Sequence, residues 1–238
     1  MEVNSQPTEG LITLSEGRVE IVKAWLTVQG EGPQSGVPAV FIRLAGCNLQ
    51  CPFCDTDYTS SRKTYTPSEV VELVRGIRLS GLVVLTGGEP VRQNIGPMIT
   101  ALLEDGYKIG IETNGTLFRS NIPWERITVV CSPKTPKIHP ELMPFLDALK
   151  YVIDKDHVDP TDGLSSQILG GLPAAKPPPP LVQFNRLVMT GKPVPIYIQP
   201  MDEQDPERNR EHVEAALKVC YQWDYILCLQ TQKLIGLE

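Results

Sequence analysis

The sequence predicts an α/β fold, a mainly parallel sheet covered by helices. Three observations lead there. Short apolar runs of strand length alternate with stretches of helical periodicity along most of the chain. Polar motifs follow those runs one after another, as loops at the carboxyl ends of parallel strands do. The 238 residues, of ordinary globular composition, are enough for one domain with its own core. Six or so strand–helix steps satisfy either an open doubly wound sheet or a barrel, full or partial.

Residues 1–17 are polar and of mixed charge, and read as a flexible leader ahead of a single domain over 18–238. They hold no basic segment followed by an apolar one, so no signal peptide is expected. Residues 39–44 are the first clear strand, running into GCNLQCPFCDT. Thr66-Pro67-Ser68-Glu69 is a helix start: Thr66 can cap, Pro67 suits the first turn and Glu69 can close a capping box. Val70, Val71, Val74 and Ile77 then recur at helical spacing. Residues 82–85 form a buried strand that ends at Thr86-Gly87-Gly88-Glu89-Pro90. A helix over 97–104 stops near Gly106, which suits a left-handed cap. Strand 108–111 leads into Glu112-Thr113-Asn114-Gly115, and strand 127–131 into Ser132-Pro133-Lys134. Residues 148–153 and 194–198 are further strands, the second ending at IQPMDE. Asp205-Pro206 opens a long helix with Val213, Leu217, Cys220 and Tyr221 on one face, and 225–229 is the last strand. Residues 156–192 break the rhythm. Gly170-Gly171 and the prolines 177–180 predict an exposed insertion or mobile loop, because proline repeats favour extended chain without backbone donors.

The formal net charge is -6, so no overall basic field draws in nucleic acid, and no partner of that class is expected. No apolar run reaches the length of a membrane span. Six cysteines without a secretory signal suit a reducing, cytoplasmic compartment, where clustered thiols mean metal or catalysis more often than disulfides.

The stretch GCNLQCPFCDT puts Cys47, Cys51 and Cys54 in one short loop. A closed structural zinc site wants four ligands. His139, His157 and His212 lie far off in sequence, and nothing in the spacing of Cys131, Cys220 or Cys228 supplies a fourth thiolate. A disulfide would leave an odd thiol and suits the compartment poorly. An iron–sulfur cluster is the third reading. Thiolates normally hold a [4Fe–4S] unit in fours, so a C-x3-C-x2-C loop leaves one iron open and reactive.

This loop resembles that of the radical S-adenosylmethionine enzymes, and Gly87-Gly88-Glu89-Pro90 after the next strand adds to the likeness. In that superfamily S-adenosylmethionine chelates the open iron, and an electron from the cluster releases a 5′-deoxyadenosyl radical. The flanking stretch TVQGEGPQSGVPAVFIRLAGCNLQCPFCDTDY is similar to the 7-carboxy-7-deazaguanine synthases, a queuosine-pathway family of these enzymes. The likeness continues through TGGEP, IETNGT, CSPK, IQPMDE and LQTQKLIGLE. It covers most of 21–238 apart from the insertion.

The resemblance implies a partial (β/α) barrel of about six parallel strands, of the radical S-adenosylmethionine type. It implies a carbon–nitrogen lyase that converts 6-carboxy-5,6,7,8-tetrahydropterin to 7-carboxy-7-deazaguanine with loss of ammonia. The implied cofactors are a [4Fe–4S] cluster, S-adenosylmethionine and Mg2+. Contracting a six-membered ring has no easy polar route, so the cofactor carries the hard step. An electron donor such as flavodoxin or ferredoxin and a homodimer are implied as well.

Residue by residue, Cys47, Cys51 and Cys54 match the cluster ligands and Thr56 the magnesium ligand. Phe53, Cys54, Asp55, Gly88, Ser132, Pro133, Lys134, Gln199, Pro200, Met201 and Asp202 match S-adenosylmethionine contacts. Val28, Gln29, Gly30, Arg43, Thr86 and Glu238 match substrate contacts. Glu31 and Glu112 join them as carboxylates able to orient a pterin, and Arg43 can clamp a carboxylate in bidentate fashion. Taken alone, the residues leave blander readings open: a turn hydroxyl for Thr56, an edge arginine for Arg43, a solvent-facing carboxylate for Glu112, a surface turn for QGEG, a frayed end for Glu238. Gln232 stands where the family often has histidine. Two other functions are weighed: another superfamily member such as a glycyl-radical activase, and a zinc-stabilised binding module without catalysis. The whole-chain likeness and the lack of an added Cys-rich domain disfavour the first.

Overall fold

The computed structural model describes residues 4–169, 171–177, 182–183, 186–189 and 192–237. Glu238 and prolines 178–180 lie outside the described residues, and with them the terminal contact and the polyproline run. β1 (Val19–Val28) and β2 (Pro38–Leu44) form an antiparallel pair, and β3 (Lys63–Tyr65) joins β1 from outside. Next come α1 (Pro67–Ile77), β4 (Leu82–Gly87), α2 (Gly96–Glu104), β5 (Lys108–Thr113), β6 (Thr128–Cys131) and β7 (Ala148–Ile153). β8 (Val182–Gln183), β9 (Arg186–Met189) and β10 (Lys192–Pro200) come after them, then α3 (Pro206–Trp223), β11 (Ile226–Leu227) and α4 (Thr231–Leu234). The sheet order is β3-β1-β2-β4-β5-β6-β7-β10-β9-β8, with β11 also against β10. From β2 through β4, β5, β6, β7 and β10 to β11, every neighbouring pair is parallel. The sheet is an open, partial barrel, and its parallel part matches the expected number of strands plus the short β11.

Local chemistry explains the main elements. Thr66 Oγ1 accepts the Glu69 N–H at 3.3 Å while Glu69 Oε2 accepts the Thr66 N–H at 2.7 Å, so the expected capping box is complete. Val70, Val71 and Val74 then bury the inner face of α1. α2 ends at Gly106 with φ +89. Its last carbonyls are met by Tyr107 N–H on Leu102 O (3.1 Å) and Gly106 N–H on Leu103 O (3.2 Å), a Schellman pattern.

The parallel strands alternate in the side chains that they send to each face. Ile42, Leu44, Val83, Leu85, Ile109, Ile111, Leu149, Tyr151, Ile196 and Ile198 enter one apolar core shared with the buried faces of α1, α2 and α3. The residues between them, Arg43, Thr86, Glu112, Lys150 and Gln199, therefore project from the opposite face near the carboxyl ends. Register puts Arg43 opposite Thr86 and Val152 opposite Gln199.

Four expectations change. β1 is an addition to the expected strands: its alternation of Val19 and Ile21 is broken by a bulge between Ile21 and Lys23, which shifts the phase of the rest of the strand. The leader is not loose over 4–17, because its backbone and side chains bond to the cysteine loop and to Arg92. The insertion is not simply exposed either. Leu164, Ile168 and Ala174 enter the core, and Tyr151 Oη donates to Ala175 O at 2.8 Å. On α3 the buried face is His212, Ala216, Val219 and Cys220, whereas Tyr221 is 81% exposed.

The cause of that rotation is His212, whose Nδ1 accepts the Lys155 N–H at 3.1 Å. Asp154, Glu203 and His212 bring ligand-type atoms within 4.8 Å of one another. Because Nδ1 is an acceptor, the ring proton sits on Nε2, 3.2 Å from Glu203 Oε1. A metal would need that nitrogen's lone pair, so the trio is a tie between α3 and its neighbours. No helix among the described residues is long and apolar enough to cross a membrane.

Thr66→Ala should cost about 1 kcal/mol by loss of the cap. Urea denaturation checks this, and an unchanged midpoint would show that the box adds nothing.

Candidate active site

The loops after β1, β2, β4, β5, β6 and β10, with Lys150 and Val152 of β7, converge on one open cavity of about 270 Å³. Cys47, Cys51 and Cys54 all line it, and no other cysteine does. Cys131 is in the apolar core and Cys228 Sγ accepts the Gly32 N–H at 3.2 Å. The histidines are engaged elsewhere: His139 stacks on Phe118, His157 meets Asp154 and His212 is on the buried face of α3. A closed four-ligand zinc site therefore lacks its fourth ligand here. Burial pushes the Cys47 thiol up to about 12 and raises Cys51 and Cys54 as well. Held side by side as thiolates, the three would need a cationic centre among them, and a cluster held on three cysteines supplies one.

Close backbone contact builds the wall behind the thiols. A Cβ on Gly88 would lie 2.2 Å from Gly46 O and 2.8 Å from Cys47 Cβ, so only glycine lets the TGGEP loop pass there. Glu89 anchors that loop. It accepts Val91 N–H (3.0 Å), Thr113 Oγ1–H (2.8 Å) and Asn114 N–H (2.7 Å), although burial still pushes it up to about 7. Asn48 links the cysteine loop to Asn114 (3.0 Å) and Thr116 (2.9 Å).

The polar side of the cavity centres on Lys150, in the middle of β7. Its ammonium forms an ion pair with Glu31 and lies 3.1 Å from Glu112 Oε2. Gln230 and Gln232 also donate to Glu31 Oε1, at 3.0 and 3.2 Å. Burial works against the Glu31 charge, but Lys150 and these donors outweigh it and bring its pKa down to about 2. Burial raises Glu112 despite Lys150. Glu112 Oε2 has no aligned hydrogen bond, which leaves it free to accept from a ligand. Gln199 Oε1 is likewise buried without a hydrogen-bond partner in the wall.

Sixteen expected site residues line this one cavity: Gln29, Glu31, Cys47, Cys51, Phe53, Cys54, Asp55, Thr56, Thr86, Gly88, Glu112, Ser132, Lys134, Gln199, Met201 and Asp202. Val28, Gly30, Arg43, Pro133 and Pro200 do not. Arg43 sits beside it, over the Trp25 ring at 5.0 Å. A Cβ on Gly30 would lie 1.6 Å from Gln232 Oε1, so that face of Gly30 is filled by Gln232. Sequence reasoning missed Lys150, Gln230 and Lys233. Lys150 carried a signal, being the one charge in the strand ALKYVI. Lys233 carried none; it reaches Asp55 at 2.7 Å and Asp202 at 2.9 Å, tying the carboxyl-terminal segment to both loops.

Residues 41–150 match the family model of the radical SAM superfamily. A 7-carboxy-7-deazaguanine synthase of Rhodospirillum rubrum is 41% identical, over 90% of this chain and 91% of the relative. That of Rickettsia prowazekii is 34% identical, over 98% of this chain and 94% of the relative. This chain belongs to the 7-carboxy-7-deazaguanine synthase family. Among solved structures, the crystal structure of QueE from Escherichia coli superposes with a TM-score of 0.64 at 21% identity, covering 89% of this chain and 93% of that one, and shows a shared fold. Membership of the family makes the chain a radical S-adenosylmethionine enzyme with a [4Fe–4S] cluster, and the three cavity thiols are the donor set that fits it.

Lys150→Met should destabilise the protein by about 3–5 kcal/mol near neutral pH, because two carboxylates stay buried without their cation. The deficit should shrink as pH falls, since both then take up protons. In the parent protein the Glu31 contribution is complete above its ordinary 4.5 and is lost only as pH falls through about 2. Denaturant titrations at two pH values check this; equal deficits at both would refute the charge argument.

Proposed function

We propose that this enzyme converts 6-carboxy-5,6,7,8-tetrahydropterin to 7-carboxy-7-deazaguanine with release of ammonia. The observation that carries the reading is the row of polar groups on one face of the sheet, with Arg43 on β2, Thr86 on β4, Glu112 on β5 and Lys150 on β7. Arg43 suits the substrate carboxylate, as a planar donor fork. Glu112, two strands or about 10 Å away across the sheet, suits the N–H donors of the guanidine-like edge. Lys150 keeps Glu31 ionised, so a ring presenting donors completes what the buried carboxylates lack.

The cluster and S-adenosylmethionine, when bound, supply one-electron chemistry that generates a hydrogen-abstracting adenosyl radical. The chain's own part is placement. Gly88 lets backbone and cofactor approach, and Ser132, Lys134, Gln199, Met201 and Asp202 frame the cofactor side. Lys134 donates to Ser132 Oγ at 2.6 Å, and Ser132 Oγ donates to Lys150 O at 2.9 Å, which locks that loop to β7. Phe53 and Asp55 flank the last thiol. Thr56, also in the wall, suits one position of a largely hydrated magnesium shared with the substrate carboxylate. An external one-electron donor of the flavodoxin or ferredoxin kind, a homodimer and a cytoplasmic setting belong to the same proposal. The six thiols, none of them in a disulfide, agree with a reducing compartment.

Reconstituted, reduced protein given S-adenosylmethionine, magnesium and the pterin should form 7-carboxy-7-deazaguanine by mass spectrometry. Cleavage of S-adenosylmethionine with the pterin untouched would discard the substrate. Arg43→Ala should weaken pterin binding by roughly tenfold to a hundredfold, as expected for a lost charged hydrogen bond. Thr56→Ala should flatten the dependence of turnover on magnesium, and a dependence like the parent's would remove Thr56 from the metal.

A further inference from the structure

The cysteine loop, between β2 and β3, contains no helix or strand of its own. Its backbone groups need partners from elsewhere. Residues 4–9 supply them along the whole loop. Asn4 N–H donates to Pro52 O and Asn4 Nδ2 to Cys51 O, both at 3.2 Å. Gln6 sets its amide across the loop's exit. Nε2 donates to Thr56 O at 2.8 Å, while Oε1 accepts Tyr58 N–H at 2.9 Å and Thr59 Oγ1–H at 3.3 Å. Thr8 bridges to Cys47, and Glu9 N–H donates to Cys47 O at 2.7 Å.

The Glu9 carboxylate then pairs with Arg62 and Arg92 at once. Arg92, 3% exposed, passes a hydrogen bond to Ala45 O at 3.2 Å, and Arg62 Nε does so to Thr59 O at 3.2 Å. The segment therefore grips the loop at its entrance, its middle and its exit.

We propose that residues 4–9 are a strap that holds the cysteine loop in the geometry that accepts the cluster, with Gln6 the positioning residue for its Thr56–Tyr58 exit. This rests on Cys47, Cys51 and Cys54 being the cluster ligands. It does not depend on the substrate. A loop fixed from behind keeps its three thiols at cluster spacing and slows the opening through which oxygen enters or iron leaves. Gln6 is not in the cavity wall, and acts through the loop that it holds.

The test compares the reconstituted parent, Gln6→Ala and Gln6→Glu, with Ser5→Ala as a control on the same segment. Two readouts are taken: loss of iron and of cluster absorbance in air, and hydrogen exchange at the Tyr58 amide. Gln6→Ala removes the acceptor of that amide and the donor to Thr56 O. It should lose its cluster about tenfold faster, as one to two net hydrogen bonds imply. The Tyr58 amide should exchange faster by a similar factor, with a thermal midpoint close to the parent's. Gln6→Glu keeps the acceptor but sets a carboxylate against Thr56 O. It should protect Tyr58 and still lose the cluster faster than the parent. Parent-like cluster lifetime and Tyr58 protection in Gln6→Ala would overturn the proposal, and so would equal acceleration in Ser5→Ala. If the parent itself takes up no cluster, the cysteine reading fails, while Tyr58 exchange still decides whether the strap holds the loop.

Discussion

A single buried ammonium organises the polar half of the cavity. Lys150 stands in mid-strand on β7, and an uncompensated charge there would cost several kcal/mol. Its compensation comes from the QGEG turn through Glu31 and from β5 through Glu112. Glu31 in turn draws in Gln230 and Gln232 from the carboxyl-terminal segment. Four stretches far apart in sequence are thereby brought to one point. Two carboxylates around one ammonium leave an excess of acceptors, and a ligand edge carrying N–H donors is what completes such a group.

The other half of the cavity obeys a different constraint, close approach of backbones. The turns at Gly46 and Gly88 lie against each other with no room for a side chain, and this places Cys47 beside the loop that comes after β4. Asn48, Asn114 and Glu89 stitch the same loops together with hydrogen bonds, while Lys233 spans from Asp55 to Asp202. The thiols and Glu112 share one space because both sit at the carboxyl ends of parallel strands, with the apolar residues of the same strands turned to the helices, and Glu31 reaches that space from the turn after the antiparallel β1. A radical reaction on a pterin asks for that arrangement: the cofactor and a recognised ring held together in one enclosure.

Much of this was legible in the sequence, for physical reasons. The parallel strands announced themselves because each is an apolar run ending in a polar motif, and the cysteine loop because three thiols in eight residues have few uses. α1 was readable from its capping box. The features that escaped depended on tertiary partners. β1 hid behind a bulge that shifts its alternation. The inner face of α3 was misplaced by one position because its anchor is a histidine, polar by type yet fully buried through hydrogen bonding. Residues 4–17 carry no periodicity, and their order comes from bonds to a loop about 50 positions away, which only the folded chain reveals. Lys150 was visible as a lone charge in an apolar strand. Its two partners, 119 and 38 positions away, were not. Gln232, a departure from the family's usual histidine, reaches Glu31 through its amide nitrogen and fills the open face of Gly30.

The most direct test of a single composite site is diffraction at the iron edge from anaerobic crystals holding S-adenosylmethionine and the pterin. The account predicts anomalous density for four irons, three of them bonded to Cys47, Cys51 and Cys54 Sγ. It also predicts the pterin in the same cavity, its carboxylate toward Arg43 and its guanidine-like edge toward Glu112. A single zinc on the cysteines, or a pterin bound away from the Lys150 cluster, would contradict it.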